Sequence, residues 1–246
     1  MKDIELWQGD CLELMKDIPD KSVDMILADL PYQVTSCKWD TIIPFEPLWE
    51  QYERIIKDNG AIVLTASQPF TTNLIGSNIE LFRYSWVWEK SRPSNFYFAR
   101  KGPMKYHEDI AVFYKKLPTY NPIMWVGEES HRSKSSTSYN NITGTVTTGG
   151  ANTSRIKFPS SVIKIKSTDS TRNFHPTQKP VALMEYLIKT YTNEGETVLD
   201  NCMGSGTTGV ACKNLNRKFI GIELDEVYFN TAKERIESVG EIDDRS

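Results

Sequence analysis

The chain has 246 residues with a formal net charge of -3, and its residues are 39% hydrophobic, 25% charged and 11% aromatic. This composition is typical of a globular protein and excludes a disordered or fibrous chain. The apolar stretches are far shorter than the roughly 18 residues of a membrane helix, and the first residues lack the apolar region of a signal peptide. We therefore expect a cytoplasmic protein.

Seven short apolar runs predict β-strands, several of them too continuously apolar to have a solvated face. They are Ile4–Trp7, Val23–Ala28, Ala61–Leu64, Phe82–Trp88, Ile110–Tyr114, Thr197–Leu199 and Phe219–Ile222. Apolar residues at helical spacing lie between them, from Phe45 to Ile56 and from Met184 to Tyr191. Strands that alternate with helices predict an α/β fold with a parallel sheet.

The carboxyl end of the second predicted strand carries Asp29-Leu30-Pro31-Tyr32. Ligand sites of α/β proteins form at this edge of a parallel sheet. A carboxylate and nearby backbone carbonyls can accept both N–H bonds of an exocyclic amino group on a base, which localises its lone pair on nitrogen. An aromatic ring can stack on a base that has left the duplex. A turn with a helix-capping Asp is the alternative for this tetrapeptide.

Periodicity fades in residues 117–172. The stretch from Ser130 to Ser154 has twelve Ser or Thr residues, and Lys115 to Arg172 holds nine Lys or Arg against three Asp or Glu. The segment is either a disordered linker or a polar binding module. A linker does not need a small core, so the module is favoured by a set of apolar residues: Tyr120, Trp125, Tyr139, Ile156, Phe158, Val162, Ile163 and Ile165.

A glycine-rich turn follows the sixth predicted strand. It runs from Asp200 through Gly204 and Gly206 to Gly209, and the next predicted strand ends at Glu223. Glycines at a helix N-terminus let the backbone approach a ligand, and an acidic residue after the next strand can hold the ribose hydroxyls. The pattern predicts a pocket for an adenosine-type cofactor, with a purely structural glycine turn as the alternative.

The position of this turn is unusual, because only one further strand follows it, whereas a nicotinamide-binding sheet normally opens with such a turn. The remaining strands must come from earlier in the chain. We therefore predict a circularly permuted, Rossmann-like sheet of about seven strands with a small insert. Asp10, after the first strand, can accept a hydrogen bond from an adenine amino group or cap the following helix.

Three motifs resemble, in this order, the permuted beta class of amino-methylating DNA methyltransferases that depend on S-adenosyl-L-methionine. They are Asp29-Leu30-Pro31-Tyr32, then His175-Pro176-Thr177-Gln178-Lys179-Pro180, then Asp200 through Thr208 with Glu223. The His-Pro-Thr-Gln-Lys-Pro string is the most specific of the three. The small size of the chain resembles phage and prophage members of the family.

The resemblance implies that Asp29, Leu30, Pro31 and Tyr32 form the pocket for the target amino group. It implies that the cofactor S-adenosyl-L-methionine is bound by Asp10, Thr177, Lys179, Asp200, Cys202, Gly204, Gly206, Thr207, Thr208 and Glu223. A leading Asp is usual for adenine and a leading Ser for cytosine, so we expect methylation of N6 of adenine, with N4 of cytosine as the alternative. Leu30 replaces the family's more usual proline, but this position contributes mainly its backbone carbonyl.

The resemblance also divides the chain into a first catalytic part, residues 1–116, a target-recognition insert, residues 117–172, and a cofactor-binding part, residues 173–246. The basic residues expected to contact DNA phosphates are Arg132, Lys134, Arg155, Lys157, Lys164, Lys166 and Arg172. DNA is the expected partner, in a bacterial host or a phage-infected cell. A homodimer and a cognate restriction enzyme stay open as further partners.

Neither metal nor nucleophilic thiol chemistry is expected. The four cysteines form no Cys-x-x-Cys pair, and three histidines provide no zinc-like spacing. Among competing functions, a dinucleotide-dependent oxidoreductase explains the glycines and Glu223 but leaves the first two motifs without a role. A catalytically inactive DNA-binding protein is disfavoured, because both halves of the predicted active site are intact.

Overall fold

The computed structural model describes residues 3–32, 42–128, 155–167 and 178–240, together with the backbone of two short strands, residues 136–140 and 144–148. It divides into two compact units. One is formed by residues 1–121 and 161–246, and the other by residues 122–160. No helix within the described ranges is both long enough and apolar enough to cross a membrane.

The larger unit is built on an eight-stranded sheet of order β1-β12-β11-β2-β3-β5-β4-β10. Its strands, in chain order, are β1 (Ile4–Gln8), β2 (Val23–Asp29), β3 (Ile56–Ala66), β4 (Phe82–Glu89), β5 (His107–Phe113), β10 (Val162–Lys164), β11 (Thr197–Asp200) and β12 (Lys218–Glu223). All seven predicted strands are present, so the predicted α/β fold is confirmed. The sheet is mostly parallel, but β5 is antiparallel to both β3 and β4.

The smaller unit contains two short antiparallel pairs. Strand β6 (Trp125–Val126) pairs with β9 (Ile156–Lys157), and β7 (Ser136–Asn140) pairs with β8 (Gly144–Thr148). Its bounds are narrower than the predicted insert of residues 117–172. The eighth strand of the large sheet, β10, lies inside that predicted insert, because Val162 to Lys164 pair with β4 instead.

Six helices complete the described structure. They are α1 (Cys11–Leu14), α2 (Phe45–Ile55), α3 (Phe70–Ser77), α4 (Val181–Tyr191), α5 (Thr207–Asn214) and α6 (Glu226–Glu237). Helices α2 and α4 confirm the two segments with helical spacing, although Ile56 begins β3 rather than ending α2.

Both faces of the sheet are covered by helices. Strand β2 alternates across them: Ile26 and Ala28 join a cluster with α2 and α3, whereas Met25 and Leu27 join a cluster with α4 and α5. Successive strand residues point to opposite faces, so a strand buried on both sides needs an unbroken apolar run. This explains why β2 has no polar face in the sequence.

The parallel alignment brings the ends of seven of the eight strands, all except β5, to one edge, which we call the carboxyl edge. There Asp29 ends β2 beside Thr65 of β3, and Gln8 ends β1 beside Glu223 of β12. Strand β11, which ends at Asp200, lies between β12 and β2. The order of the motifs along the chain therefore differs from the order of their strands in the sheet. The motifs nevertheless meet at one edge.

The packing of α5 generates a stability prediction. A Cβ atom on Gly209 would meet Ile236 Cδ1 at 2.3 Å and Phe219 Cε1 at 2.7 Å, whereas one on Gly76 of α3 would meet nothing within 4 Å. We expect Gly209→Ala to lower the free energy of unfolding by about 1–3 kcal/mol, since overpacking forces neighbours to move. Gly76→Ala is the matched control and should leave stability unchanged or slightly raised. Urea unfolding of both variants measures this, and equal stabilities would contradict it.

Candidate active site at the carboxyl edge

The Asp29 carboxylate lies at the centre of a hydrogen-bonded cluster. Its Oδ1 accepts hydrogen bonds from the Tyr32 hydroxyl at 2.5 Å and from the Thr65 hydroxyl. Its Oδ2 accepts from Lys179 Nζ at 2.5 Å, across 150 positions of sequence. The tetrapeptide and the end of the His175–Pro180 motif are therefore in direct contact.

Lys179 is buried, with only 7% of its side chain exposed, and lies between two carboxylates. Its Nζ is 3.4 Å from Glu108 Oε2, and Lys90 Nζ donates to Glu108 Oε1 at 2.9 Å. Burial opposes its charge, but Asp29 and Glu108 raise the pKa of Lys179 above its ordinary value. Burial likewise opposes the charge of Glu108, and the ammonium groups of Lys179 and Lys90 hold the pKa of that carboxyl below its ordinary value. The ammonium groups of Lys179 and Lys90 thus neutralise the carboxylates of Asp29 and Glu108 within the site.

Tyr32 contributes both its ring and its hydroxyl. The ring packs against Phe70 with centroids 4.8 Å apart, and Lys179 Nζ lies 5.8 Å from the ring centroid. Burial and the carboxylates of Asp29 and Glu108 raise the pKa of Tyr32 well above its ordinary value, so the phenol keeps its proton. The hydroxyl is consequently a hydrogen-bond donor to Asp29, a role that the sequence did not suggest.

The two middle residues of the tetrapeptide differ in exposure. The Leu30 side chain is buried in the core, whereas Pro31 is half-buried. The leucine therefore acts as a packing residue that leaves its backbone at the edge of the sheet. Its expected contribution of a backbone carbonyl to the pocket stays a prediction.

The glycine turn adopts the backbone that its sequence predicts. Gly204 and Gly206 have φ angles of 51° and 78°, in the left-handed region that favours glycine. A Cβ on Gly206 would also meet Ala232 Cβ of α6 at 2.8 Å, so close helix packing requires glycine there as well. The next strand closes the turn, since Gly204 N donates to Glu223 Oε2 at 2.8 Å.

Two acidic residues stabilise this turn from within. Asp200 accepts from the Thr208 hydroxyl at 2.6 Å and from Cys202 N at 3.1 Å, which ties the strand end to the start of α5. Burial raises the pKa of Asp200 to about 7. Burial also raises the pKa of Glu223, whose Oε1 accepts from Asp225 N at 2.9 Å. Thr207, the first residue of α5, is buried beside them.

Gln178 connects the second motif to the glycine turn, because Ser205 Oγ lies 3.3 Å from Gln178 Oε1. The neighbouring residue Lys179 reaches Asp29 instead. Two consecutive residues therefore contact the two other motifs. All three motifs lie around one site at the carboxyl edge.

Asp10 caps α1, as one of its two predicted roles requires: its Oδ1 accepts from Leu12 N at 2.8 Å. It lies near Glu223, whose backbone carbonyl accepts from Gly9 N at 2.9 Å. Its contact with a cofactor adenine stays a prediction. Cys202 lies beside buried Asn201, whose Nδ2 is 3.3 Å from the Cys202 sulfur.

Several expected residues lie elsewhere or outside the described ranges. Thr177 is outside them, and so are Arg132, Lys134 and Arg172. Arg155 and Lys157 belong to the smaller unit. Lys164 and Lys166 are exposed at and beyond the end of β10, and Lys164 pairs with Glu89 at 3.2 Å.

Three residues of the cluster lie outside the motifs that were assigned catalytic or cofactor-binding roles: Thr65, Lys90 and Glu108. The segments Trp86–Lys90 and Lys105–Glu108 do resemble family segments that flank the base pocket. Thr65 is found only through strand pairing, because β3 places it directly beside Asp29. Lys90 and Glu108 stand at the ends of β4 and β5, where charged residues next to apolar runs give a weak signal. Their pairing depends on the antiparallel contact between those strands.

The raised pKa of Asp200 generates a prediction about pH and stability. The folded state binds the carboxyl proton of Asp200 more tightly than the unfolded chain does. The contribution of this proton to the free energy of unfolding is therefore largest below about pH 4 and falls as the pH rises towards 7. The difference in unfolding free energy between wild type and Asp200→Asn should therefore fall by about 2 kcal/mol from about pH 5 to about pH 8. Urea unfolding across this range measures the difference, and a constant value would contradict the assignment.

Comparison with known proteins agrees with this geometry. The family model described as DNA methylase, for N6 and N4 methylation, matches residues 23–234. Type II methyltransferase M.HpaI of Haemophilus parainfluenzae is 29% identical over 94% of this chain and 73% of its own length. Type II methyltransferase M2.MboI of Moraxella bovis is 26% identical over 97% of this chain and 89% of its own length.

Solved structures show the same architecture. The M1.HpyAVI–SAM complex superposes with a TM-score of 0.67 at 28% identity, covering 95% of this chain and 98% of that one. The cytosine-N4-specific PvuII DNA methyltransferase has a TM-score of 0.66 at 16% identity, covering 94% and 86%, which shows a shared fold alone. Because the family match spans most of the chain, the protein belongs to the N6/N4 family of DNA methylases.

Proposed function

We propose that this DNA methylase transfers a methyl group from S-adenosylmethionine to N6 of adenine in a base turned out of the DNA helix. The observation that carries the proposal is the convergence of Asp29, Lys179 and the glycine turn. Strand β2, which presents Asp29, pairs directly with β11, which leads into the turn. An amino-group pocket and a cofactor pocket on neighbouring strands can face one another.

The turn suits an adenosine-type cofactor. Each carboxylate oxygen can accept about two hydrogen bonds, so Glu223 can hold ribose hydroxyls while it still accepts from Gly204 N and Asp225 N. The first N–H groups of α5 have no partner within the helix and can face polar groups of the ligand. We assign to the cofactor site Asp10, Thr177, Asp200, Cys202, Gly204, Gly206, Thr207, Thr208 and Glu223.

When bound, S-adenosylmethionine supplies an electrophilic methyl group on its sulfonium. Asp29 and the Leu30 carbonyl accept the two hydrogens of the adenine amino group, so the nitrogen lone pair points at the methyl carbon. Bond formation to the amino nitrogen would be balanced by loss of the methyl group from the sulfonium, and Asp29 would accept the proton that the amino nitrogen then releases. Tyr32 stacks on the base and Pro31 shapes the turn. Positioning and local electrostatics supply the acceleration, without a covalent enzyme intermediate.

The same pocket chemistry serves N4 of cytosine, and the leading Asp of the tetrapeptide favours adenine. The basic residues of the segment 117–172 are proposed to contact DNA phosphates. Labelled S-adenosylmethionine is incubated with unmethylated DNA, and the DNA is digested to nucleosides. We expect label in N6-methyl-2′-deoxyadenosine. Label in N4-methylcytosine alone refutes the base assignment, and no label in any DNA base refutes the function.

Removal of the Asp29 carboxylate tests the catalytic assignment. Asp29→Ala should lower kcat by a factor of about 10² or more, because no side chain then accepts the amino hydrogen. Its affinity for S-adenosylmethionine should change little. Asp17→Ala, at an exposed surface position, is the control and should keep wild-type kcat. Calorimetric titration and radiolabel transfer measure the two quantities; an active Asp29→Ala enzyme contradicts the mechanism.

Substitution of Lys179 distinguishes its two proposed roles. The contact with Asp29 predicts that Lys179→Met lowers kcat. It should also move the acid limb of the pH–rate profile to higher pH, because Lys179 is one of the two cations that hold the pKa of Glu108 below its ordinary value. The role implied by the family resemblance predicts a weaker affinity for S-adenosylmethionine instead. Two half-buried carboxylates also lose a partner, so stability should fall by up to about 3 kcal/mol. An unchanged acid limb with weakened cofactor binding contradicts the first role.

A further inference from the structure

A loop of residues 91–106 joins β4 to β5 and exposes an aromatic tip. Phe96 is 77% exposed and Tyr97 is 90% exposed, on a short 3-10 turn that ends at Phe98. Met104 and Tyr106 are also exposed. Single exposed apolar residues are ordinary, but several within one short loop are typical of a binding surface.

The loop has a defined conformation at its neck. Lys90 N donates to Tyr106 O at 2.7 Å, and Ser94 N donates to Lys105 O at 3.0 Å. The side chain of Asn95 accepts from Lys105 N at 2.7 Å. These bonds close the loop and hold its tip away from the core, so the exposure is built into the fold.

The neck is connected to the reacting carboxylate. Lys90 donates both to Ser94 Oγ at 2.9 Å within the loop and to Glu108 Oε1 at 2.9 Å. Glu108 in turn neighbours Lys179, which binds Asp29. Strand β4 is parallel to β3, so it enters the loop at the carboxyl edge, beside the proposed base pocket.

The positive charge of the 91–106 loop favours a negatively charged partner. The 91–106 loop holds four Lys or Arg residues and no Asp or Glu, in a chain whose net charge is -3. Arg92, Arg100 and Lys101 are exposed around the aromatic tip. A second copy of the chain would bring two positive loops together, which is repulsive, whereas a nucleic-acid duplex offers both phosphates and stacked bases.

From these features we infer that the 91–106 loop is a DNA-binding element in which Tyr97 and Phe96 stack in the gap left by the everted base. Arg92, Arg100 and Lys101 hold the flanking phosphates. Apolar and aromatic side chains inserted at a base step are a known means of stabilising unstacked DNA. The inference deepens the proposed function and rests on it, since it names the part of the larger unit that keeps the base out.

The aromatic tip is tested by Tyr97→Ala and Phe96→Ala, with Leu117→Ala as the matched control. Leu117 is 78% exposed and follows β5, at the opposite edge of the sheet. The substrate is a duplex that contains a site found by sequencing methylated plasmid DNA. A second duplex carries an abasic site opposite the target base, which is then already unpaired.

We expect each tip variant to lower kcat/KM on the paired duplex by about tenfold or more, and to lose much less on the abasic duplex. The control should match wild type on both, and all variants should bind S-adenosylmethionine equally, which also shows that they fold. Wild-type kcat/KM in both tip variants overturns the inference, and so does an equal loss on the two duplexes. A changed oligomeric mass with unchanged DNA activity identifies the tip as a self-association surface and overturns it too.

The basic residues are tested by a separate measurement that needs no catalysis. Fluorescence anisotropy with a labelled random-sequence duplex compares the loop triple variant, Arg92→Gln with Arg100→Gln and Lys101→Gln, with a charge-matched triple at the opposite edge, Lys21→Gln with Lys115→Gln and Lys116→Gln. We expect the loop triple to lose about tenfold or more in affinity and to reduce the salt slope by about 2–3. Equal losses in the two triples overturn the inference. If wild type binds DNA in this way but methylates no DNA base, the proposed function fails while the binding role of the loop stands.

Discussion

The ion pair between buried Lys179 and half-buried Asp29 is the contact on which the site depends, because it joins the second motif to the first across 150 positions of sequence. A buried charge without a partner is strongly unfavourable, so Lys179 requires the carboxylates beside it. Glu108 and Lys90 complete a balanced set of charges. The segments that carry these residues must therefore lie close together, and the pairing of charges and the order of strands support each other.

The same arrangement shows how one edge of the sheet can present the two proposed sites. Asp29 receives hydrogen bonds on both oxygens and is oriented by Tyr32, Thr65 and Lys179. The glycine turn is held separately, by hydrogen bonds to Asp200 and Glu223. Preorganised groups of this kind need little rearrangement when charge develops in a reaction. The Asp29 cluster and the glycine turn thus lie on adjacent strands.

Much of the fold and of the candidate site was predictable from the sequence. Continuous apolar runs identified the seven strands, since strands buried on both faces tolerate few polar residues. The glycines identified the turn, because positive φ angles at Gly204 and Gly206 exclude most other residues. Strand β10 was not among the predicted strands, because Val162 to Lys164 lie in a polar segment and form a strand by pairing with β4. Thr65 escaped because nothing local distinguishes a site residue from any other polar residue near a strand end.

The sequence by itself determined the α/β class, the permuted order of the motifs and the residue types available for chemistry, because these depend on local periodicity and on backbone requirements of single residues. Only the tertiary structure decided which charges neutralise one another, that Tyr32 donates to Asp29, and that Lys179 contacts this carboxylate. It also decided that the aromatic residues of the 91–106 loop remain exposed. Such pairings depend on distances between residues far apart in the chain, and a linear pattern does not contain those distances.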